Sequence, residues 1–437
     1  MTKKRKDLEI KPTNRRDFFK KTAFLSASLI ASSSILAPIK ITASSLDDPA
    51  IIDQASWGTK LGDLVDKNHY GLPSPYEHNN VRRVHDLLSS GDRYATVSMS
   101  PLHQQEGIIT PNGLFFNRSH SGTTQVDPHK FRLMIHGLLD KPLVLTLEEL
   151  KRYPSESRIH FIECPANGST GWRGPQFDNL QFVKGMMSSA EWTGVPLKVV
   201  LKELGLHKNA KWMLAEGSDN SEMARSIPIE KVLDDAMLVW GQNGEPLRAE
   251  QGYPVRLLLP GWEGNLNVKW LKRLEFSSKP WHSKEETSKY TMLQKNGKAI
   301  NYFWPMEVNS IITSPCPEVP WSSLKKGDII EITGLAWSGR GTIKTVDISL
   351  DGGKNWIEAS LKGLILPKSW TRFSYIIKWD AKEKMLLSRA IDDSGHIQPS
   401  INKLIENVGV EGIYHRNPIV GWFVSNKGEV KNAHVRS

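Results

Sequence analysis

A strand pattern leads directly into a loop at residues 158–169, which read RIHFIECPANGS. The alternating apolar residues, bounded by turn-forming residues, predict a short strand over residues 158–163 that ends at Cys164. A cysteine placed where a strand enters a Pro/Asn/Gly loop can present its sulfur into a cleft. The competing interpretation is that Cys164 is a small buried hydrophobic residue, because free cysteines are often buried in this way.

Short strands and short helices alternate on both sides of this stretch without a regular period. Residues 131–136 alternate like a strand, and Thr146 with Glu149 fits a capping box that opens a short helix. Further helices are predicted at residues 196–204 and near residues 81–88. This irregular mixture predicts an α+β fold for the first part of the chain.

Several prolines interrupt the pattern between residues 304 and 320, and a different pattern follows them. The later residues alternate apolar and polar side chains in short runs, with a DGG turn signal at residues 351–353. These features predict an all-β immunoglobulin-like sandwich at residues 306–437 after an α+β domain at residues 44–305. Cys316 lies between Pro315 and Pro317 and is predicted to be in the interdomain linker.

The chain has 437 residues and only two cysteines, Cys164 and Cys316. Two cysteines exclude zinc sites with four cysteine ligands and iron–sulfur clusters with four cysteine ligands. They also exclude a covalently attached c-type haem, because the Cys-x-x-Cys-His motif needs two closely spaced cysteines and does not occur here. The region before residue 110 also lacks a recognisable haem-binding domain, so no haem is expected on this chain.

The formal net charge of +10 is concentrated at the N-terminus. Residues 1–43 carry ten Lys/Arg and three Asp/Glu, which is +7 of that total, so a nucleic-acid-binding face elsewhere is not indicated. Arg15 and Arg16 precede Asp-Phe-Phe-Lys and a mildly apolar stretch from Ala23 to Ala37, with cleavage expected after Ala43, a pattern typical of twin-arginine export signals. The alternative is a basic tail with a membrane anchor, but the apolar stretch of about 15 residues is shorter than the ~20 that a spanning helix needs. We therefore expect residues 1–43 to be a signal peptide, with a periplasmic mature protein and no membrane span.

An ordered set of short motifs resembles the sulfite oxidase family of molybdenum enzymes, over about residues 75–437. These motifs are FFNRSH (115–120), CPAN (164–167), GWR (171–173), SIPI (226–229), GYPVR (252–256), NVKWL (267–271), AWSG (336–339) and SLDGG (349–353). The resemblance implies a molybdopterin-binding domain followed by a dimerisation domain, and hence a homodimer. Within the family, WGQNG (240–244), EQGYP (250–254) and PGWEGN (260–265) look most like the sulfane dehydrogenase branch of bacterial sulfur oxidation.

The resemblance also implies roles for individual residues. Cys164 corresponds to the cysteine that binds molybdenum. The residues expected to hold the pyranopterin cofactor are His120, Cys164, Ser226, Gln251, Arg256 and Lys269. The residues expected to act on substrate are Arg118, which would hold an anion, Tyr290, Trp172 and Arg416.

Two departures from the animal sulfite oxidases bear on the substrate. Gly168 stands where those enzymes have an arginine after the cysteine loop, and Gln251 stands where they have a histidine. The loss of one cation favours a bulkier substrate, such as sulfane sulfur on a carrier protein, over free sulfite. Electrons would then pass to a separate c-type cytochrome. The alternatives are a periplasmic sulfite dehydrogenase and an exported binding module without turnover.

Overall fold

The structure is a computed structural model, and it describes residues 74–77, 79–84, 96–169, 171, 174–175 and 177–435. The predicted signal peptide at residues 1–43 lies outside these described residues. All the described residues belong to one compact unit, Pro73–Ser437.

The first part of the described chain is built from many short strands and four short α-helices. The strands are β1 (Arg83–Val84), β2 (Thr96–Met99), β3 (Asn117–Ser119), β4 (Leu133–Gly137), β5 (Leu143–Leu145), β6 (Glu156–Glu163), β7 (Met187–Pro196), β8 (Trp212–Gly217), β9 (Ala224–Pro228), β10 (Met237–Gln242), β11 (Glu245–Pro246), β12 (Arg256–Leu258), β13 (Leu271–Ser277), β14 (Met292–Leu293) and β15 (Ala299–Ile300). The helices are α1 (Leu147–Leu150), α2 (Leu180–Lys184), α3 (Leu197–Leu204) and α4 (Ile229–Asp234).

These strands form three sheets and one hairpin. The sheet orders are β1-β2-β3, then β11-β10-β7-β6 with β12 on β10, then β5-β4-β13-β8-β9, with β14-β15 as the hairpin. All pairs are antiparallel except β13 with β4. The α+β prediction is confirmed, since the helices interrupt a mainly antiparallel set of strands.

Local sequence signals account for the helix ends. Thr146 caps α1 in a capping box, in which its side chain accepts from the Glu149 backbone N–H and Glu149 bonds back to Thr146. Helix α3 follows Pro196 and ends at Gly205, whose left-handed backbone has φ 70°. Both ends agree with the sequence, because caps are encoded by nearby residues.

The second part forms two sheets packed face to face, as in an immunoglobulin-like sandwich. Its strands are β16 (Asn309–Ser314), β17 (Ile329–Trp337), β18 (Ile343–Ser349), β19 (Ile357–Glu358), β20 (Ser360–Lys362), β21 (Thr371–Lys378), β22 (Lys384–Asp392), β23 (Gly421–Val424) and β24 (Val430–Ala433). One sheet has the order β16-β17-β21-β20 and the other β19-β18-β22-β23-β24. One helix, α5 (Ile401–Val408), interrupts this otherwise all-β region and was not predicted.

One hydrophobic core joins the two parts. Phe161 and Met187, from β6 and β7, pack in the same buried cluster as Ile311 and Trp337 from the sandwich. The prediction that Cys316 lies in an interdomain linker is wrong, because Cys316 is fully buried in this cluster. The flanking prolines end strand β16, but the following turn folds back into the core.

The start of the described chain differs from the prediction for residues 81–88. The helix predicted near residues 81–88 is wrong over the residues that are described there, since Arg83–Val84 forms strand β1. Pairing with β2 outweighs local helix propensity at this position. Among the described residues, none of the helices is long and apolar enough to cross a membrane.

Candidate active site

A cavity with about 670 Å³ of empty space, which includes space open to solvent, lies where the loops after β3, β6 and β12 meet. Seven of the ten predicted site residues line it, namely Arg118, His120, Cys164, Gln251, Arg256, Lys269 and Tyr290. Arg118 and Tyr290, which are 172 positions apart in the sequence, therefore line the same cavity.

Cys164 lies at the inner end of this cavity, immediately after β6. Its backbone N–H donates to the Met186 carbonyl at 3.0 Å, and its carbonyl accepts from the Asn167 N–H at 2.8 Å. The Asn167 side chain ties the loop down, with its amide donating to Glu163 at 2.9 Å and its oxygen accepting from the Met186 N–H at 3.2 Å. Burial raises the pKa of Cys164 to about 11, so the thiol is protonated at neutral pH unless a metal ion replaces its proton.

Three cationic side chains, Arg118, Arg256 and Lys269, line the cavity. Within the described part of the chain, none of them forms an ion pair with a carboxylate. Burial lowers the pKa of Arg256 to about 9. The pKa of Lys269 is lowered to about 7 by burial and by the charge of Arg256. Arg118 lies nearby on β3, where its guanidinium donates to the Ser119 carbonyl. An anionic group in the cavity would stabilise all three charges, so the site favours anions.

Arg256 and Lys269 are held by backbone oxygens. Arg256 donates to the Gln251 carbonyl at 3.1 Å and to the Asn267 carbonyl at 2.9 Å. Lys269 donates to the Asn117 side-chain oxygen, the Arg118 carbonyl and the Glu250 carbonyl, at 2.8 to 3.2 Å. Lys269 thus joins β3, the loop before β12 and the loop before β13.

His120 and Tyr290 form a hydrogen-bonded pair in the cavity lining. The Tyr290 hydroxyl and His120 Nε2 are 3.1 Å apart. Burial, followed by the charge of Arg118, lowers the pKa of His120 to about 4. Burial also raises the pKa of Tyr290 well above its usual value. Both side chains are therefore neutral at pH 7, and the pair can hold one shared proton in the hydrogen bond between them.

The other three predicted site residues are not among the residues that line the cavity. The Ser226 hydroxyl donates to Glu286 at 3.0 Å, in a buried contact next to the site. The Arg416 side chain donates to the Gly412 carbonyl at 2.8 Å and to the Gly409 carbonyl at 3.2 Å, so it holds its own loop together. Trp172 lies outside the described residues.

A buried lysine occupies the space beside Gly168. A methyl group on Gly168 would come within 2.8 Å of Lys184 Nζ and 3.1 Å of the Arg416 carbonyl oxygen. Lys184 Nζ donates to that same carbonyl at 3.1 Å, and burial lowers the Lys184 pKa to about 8. A cation is therefore present next to the cysteine loop although residue 168 has no side chain. The Lys184 ammonium, however, is bonded to the Arg416 carbonyl and is not part of the cavity lining.

Sequence reasoning missed Lys184, Asp219 and Tyr414. Asp219 lines the cavity, and the Tyr414 ring lies 5.1 Å from the Tyr290 ring. Asp219 lies in a short polar run, which usually indicates a solvated surface, and Lys184 is a single lysine at the end of a short apolar stretch, so no local signal distinguished them. Tyr414 is two residues before Arg416, and its closeness to that predicted site residue was the only sign in the sequence of a position near the site.

Gly168→Ala is expected to destabilise the protein by about 1–3 kcal/mol, because residue 168 has φ +75° and its Cβ would displace Lys184. The matched control is Gly171→Ala in the same loop, whose added methyl group would meet nothing within 4 Å. Thermal unfolding of both variants measures the difference. Equal melting temperatures for the two variants would contradict this account of the loop.

The residues present fit a molybdenum–pterin cofactor on structural grounds. The Cys164 thiol lines the cavity with the three cations, and a thiolate is a suitable ligand for a soft or sulfur-bound metal. Arg256 Nε and Asp219 Oδ1 are buried and have no hydrogen-bond partner among the described residues. Such unsatisfied buried groups call for a polar ligand in the cavity.

Comparisons with known proteins identify two domain families. Residues 120–285 match the oxidoreductase molybdopterin binding domain, and residues 300–421 match the molybdenum-cofactor oxidoreductase dimerisation domain. Mouse mitochondrial sulfite oxidase is 31% identical over 352 residues, covering 74% of this chain and 63% of the mouse protein. A soybean inducible NADH nitrate reductase is 29% identical, covering 75% of this chain and 41% of that protein. The chain thus spans less than two thirds of the length of these two relatives.

A solved structure is similar over most of the chain. The crystal structure of the sulfane dehydrogenase SoxCD from Paracoccus pantotrophus aligns with a TM-score of 0.86 and 46% sequence identity. The alignment covers 89% of this chain and 99% of that chain. The similarity therefore includes both the cavity-bearing part and the sandwich.

Proposed function

Because this chain belongs to the sulfite oxidase family of molybdopterin oxidoreductases, we propose that it oxidises sulfane sulfur carried on a partner protein and passes the electrons to a c-type cytochrome. The observation that carries the proposal is the cavity in which Cys164, Arg118 and the His120–Tyr290 pair meet. The 46% identity to a sulfane dehydrogenase supports the choice of substrate within the family.

We assign the cofactor contacts to the residues that line or support the cavity. Cys164 would be the protein ligand to molybdenum, and Arg256, Lys269, His120 and Gln251 would hold the pterin and its phosphate through charge and hydrogen bonds. Ser226 would act indirectly, because its hydroxyl is bonded to Glu286. When bound, the molybdenum cofactor supplies oxygen-atom transfer to sulfur and accepts two electrons.

The chain's own residues would bind, orient and hydrogen-bond the substrate. Arg118 would bind the negative charge of an oxidised sulfur group, since two charges about 4 Å apart at an effective dielectric of ~20 interact by about 4 kcal/mol before desolvation. The Tyr290 hydroxyl, paired with neutral His120, would donate a hydrogen bond to oxygen near the metal. Arg416 would fix the loop that carries Tyr414, and Trp172 is proposed to wall the substrate channel.

The proposed preference for a bulky substrate rests on the cysteine loop. Gly168 has no side chain, and the adjacent Lys184 ammonium is bound to the Arg416 carbonyl and not to the cavity. A small dianion such as sulfite would therefore meet Arg118 but no second cation from this loop. The competing function is a sulfite dehydrogenase, which is favoured by the 31% identity to mouse sulfite oxidase.

The proposed function also requires an electron acceptor and a quaternary structure. The two electrons must leave one at a time, and the chain has no Cys-x-x-Cys-His motif for a haem of its own. A separate c-type cytochrome is therefore the proposed acceptor. The dimerisation-domain match at residues 300–421 supports a homodimer. We propose a periplasmic location after removal of residues 1–43, with a domain boundary near residue 305.

We expect turnover of thiosulfate-charged carrier protein to exceed turnover of free sulfite when the purified molybdenum-loaded chain is assayed with its co-expressed cytochrome. The physical reason is the absence of a second loop cation for a small dianion. Steady-state kinetics with each substrate, with and without the cytochrome, makes the comparison. Efficient oxidation of free sulfite would favour the sulfite dehydrogenase, and a chain that purifies without molybdenum and turns over neither substrate would be a binding module.

A further inference from the structure

A second group of potential metal ligands is formed by three residues that the proposed function does not use. One ligand atom from each of His103, Cys316 and Glu318 lies within 4.8 Å of the other two. His103 belongs to a 3₁₀ turn, Leu102–Gln104, whereas Cys316 and Glu318 follow strand β16. These three residues thus come from both parts of the fold.

The local backbone holds the three side chains in place. Cys316 and Val319 exchange two backbone hydrogen bonds, at 3.0 and 3.3 Å, so the turn between them is closed. One oxygen of Glu318 accepts from the Leu180 N–H at 2.8 Å, at the start of helix α2. The 3₁₀ turn packs against both α2 and β16. The ligands are therefore pre-positioned by ordered segments and need only a small closure around an ion.

The polar atoms in this group are not all satisfied by the protein. His103 Nδ1 is buried and has no hydrogen-bond partner among the described residues. Glu318 Oε2 is also buried without a hydrogen-bond partner among the described residues, and Cys316 is fully buried. The cluster therefore holds an imidazole nitrogen and a carboxylate oxygen that are buried without partners, and a bound cation would satisfy both.

Ligand chemistry and charge select the class of ion. A thiolate and a carboxylate contribute two negative charges, which match a divalent cation. Imidazole and thiolate suit zinc, and a carboxylate oxygen is a common third zinc ligand but a poor one for Cu(I). Tetrahedral zinc places neighbouring ligand atoms about 3.4–3.7 Å apart, so the ligand atoms would move inwards by about 1 Å at most.

We propose that His103, Cys316 and Glu318 form a binding site for a zinc-class divalent transition metal, separate from the molybdenum cavity and joining the 3₁₀ turn to the sandwich. The site does not depend on the proposed substrate. With three protein ligands, the fourth position is available to water. The bound ion stabilises the folded chain because the unfolded chain does not present the three ligands together.

Cobalt titration of the molybdenum-loaded protein tests the site directly. In this form the proposed cofactor would occupy Cys164, and loss of a new sulfur-to-cobalt absorption band in Cys316→Ser assigns that band to Cys316. We expect about one Co²⁺ per chain, displaced by Zn²⁺, and a higher melting temperature with either ion. Cys316→Ser should lose the sulfur-to-cobalt band, and His103→Ala should weaken binding by at least about 100-fold, since loss even of outer partners costs 10–100-fold.

His129→Ala is the matched control, because His129 is an exposed histidine outside the cluster, and its binding should equal that of the unaltered chain. If Cys316→Ser does not fold, His103→Ala carries the test, because His103 is only partly buried and lies on a surface turn. Failure of the unaltered chain to bind Co²⁺ or Zn²⁺ stoichiometrically would overturn the proposal. Binding that survives both Cys316→Ser and His103→Ala would overturn it as well. Neither result bears on molybdenum content or sulfur oxidation.

Discussion

Cys164→Ser is expected to reduce turnover by more than about 100-fold. Loss of a residue that only supports a metal ligand already costs about 10- to 100-fold, and Cys164 is the proposed ligand itself. A serine oxygen is a much poorer ligand for a sulfur-bound molybdenum centre than a thiolate. Cys316 cannot replace the lost ligand, because it is buried in the sandwich core and does not line the cavity. Molybdenum X-ray absorption should show one fewer sulfur neighbour, and molybdenum content should be measured on the same samples.

The substitution should leave the loop folded. The hydrogen bonds that hold the Cys164 loop come from its backbone and from Asn167, and the Ala166 N–H that interacts with the Cys164 sulfur can donate to a serine oxygen instead. The matched control is Ser157→Ala, on the same strand β6 but exposed and distant in sequence from the loop. Unchanged turnover with an unchanged count of sulfur neighbours in Cys164→Ser would disprove the assignment of this residue as the ligand.

Arg118→Gln is expected to lower kcat/KM for the sulfur substrate by about 10- to 100-fold, the usual range for losing a hydrogen bond to a charged group. Arg118 lines the cavity and offers a planar fork that matches an oxyanion. Arg118→Lys keeps the charge but loses the fork, so its loss should be smaller. Steady-state kinetics of the three forms, normalised to molybdenum content, gives the comparison.

Arg132→Gln is the control for this experiment. Arg132 is exposed, and like Arg118 it donates to a neighbouring backbone carbonyl, that of Phe131 at 2.6 Å. The control should keep the kcat/KM of the unaltered chain. An Arg118→Gln enzyme that is equally active, or a loss of the same size in Arg132→Gln, would remove Arg118 from the substrate site.

The order of elements was predictable because local patterns encode it. Strand β6 and its loop, the capping box at Thr146, and helix α3 before Gly205 all follow from residues within one or two turns of each other. The exceptions are the segment at Arg83–Val84, where pairing with β2 decided the outcome, and helix α5, which has a local start signal in its Ser400 N-cap but was not predicted. Motif resemblance added the grouping of seven cavity residues, which no local pattern contains.

Contacts between distant residues decided the rest of the site. The Trp337 indole donates to Glu163 at 2.7 Å, and His415 and Glu263 are 2.7 Å apart, so the sandwich supports the loops around Cys164. Lys184 lies beside Gly168 because α2 packs under the cysteine loop, a contact that residue spacing does not reveal.

By itself the sequence determined strand β6, the thiol at its end, the ends of helices α1 and α3, and the all-β pattern of the second part. The tertiary structure decided the surroundings of each polar group. It buried Cys316 in the core beside the partly buried His103 and Glu318, and it turned the Arg416 side chain onto its own loop. The physical reason is range: periodicity and capping act over a few residues, whereas burial and charge pairing depend on chain segments that meet only after folding.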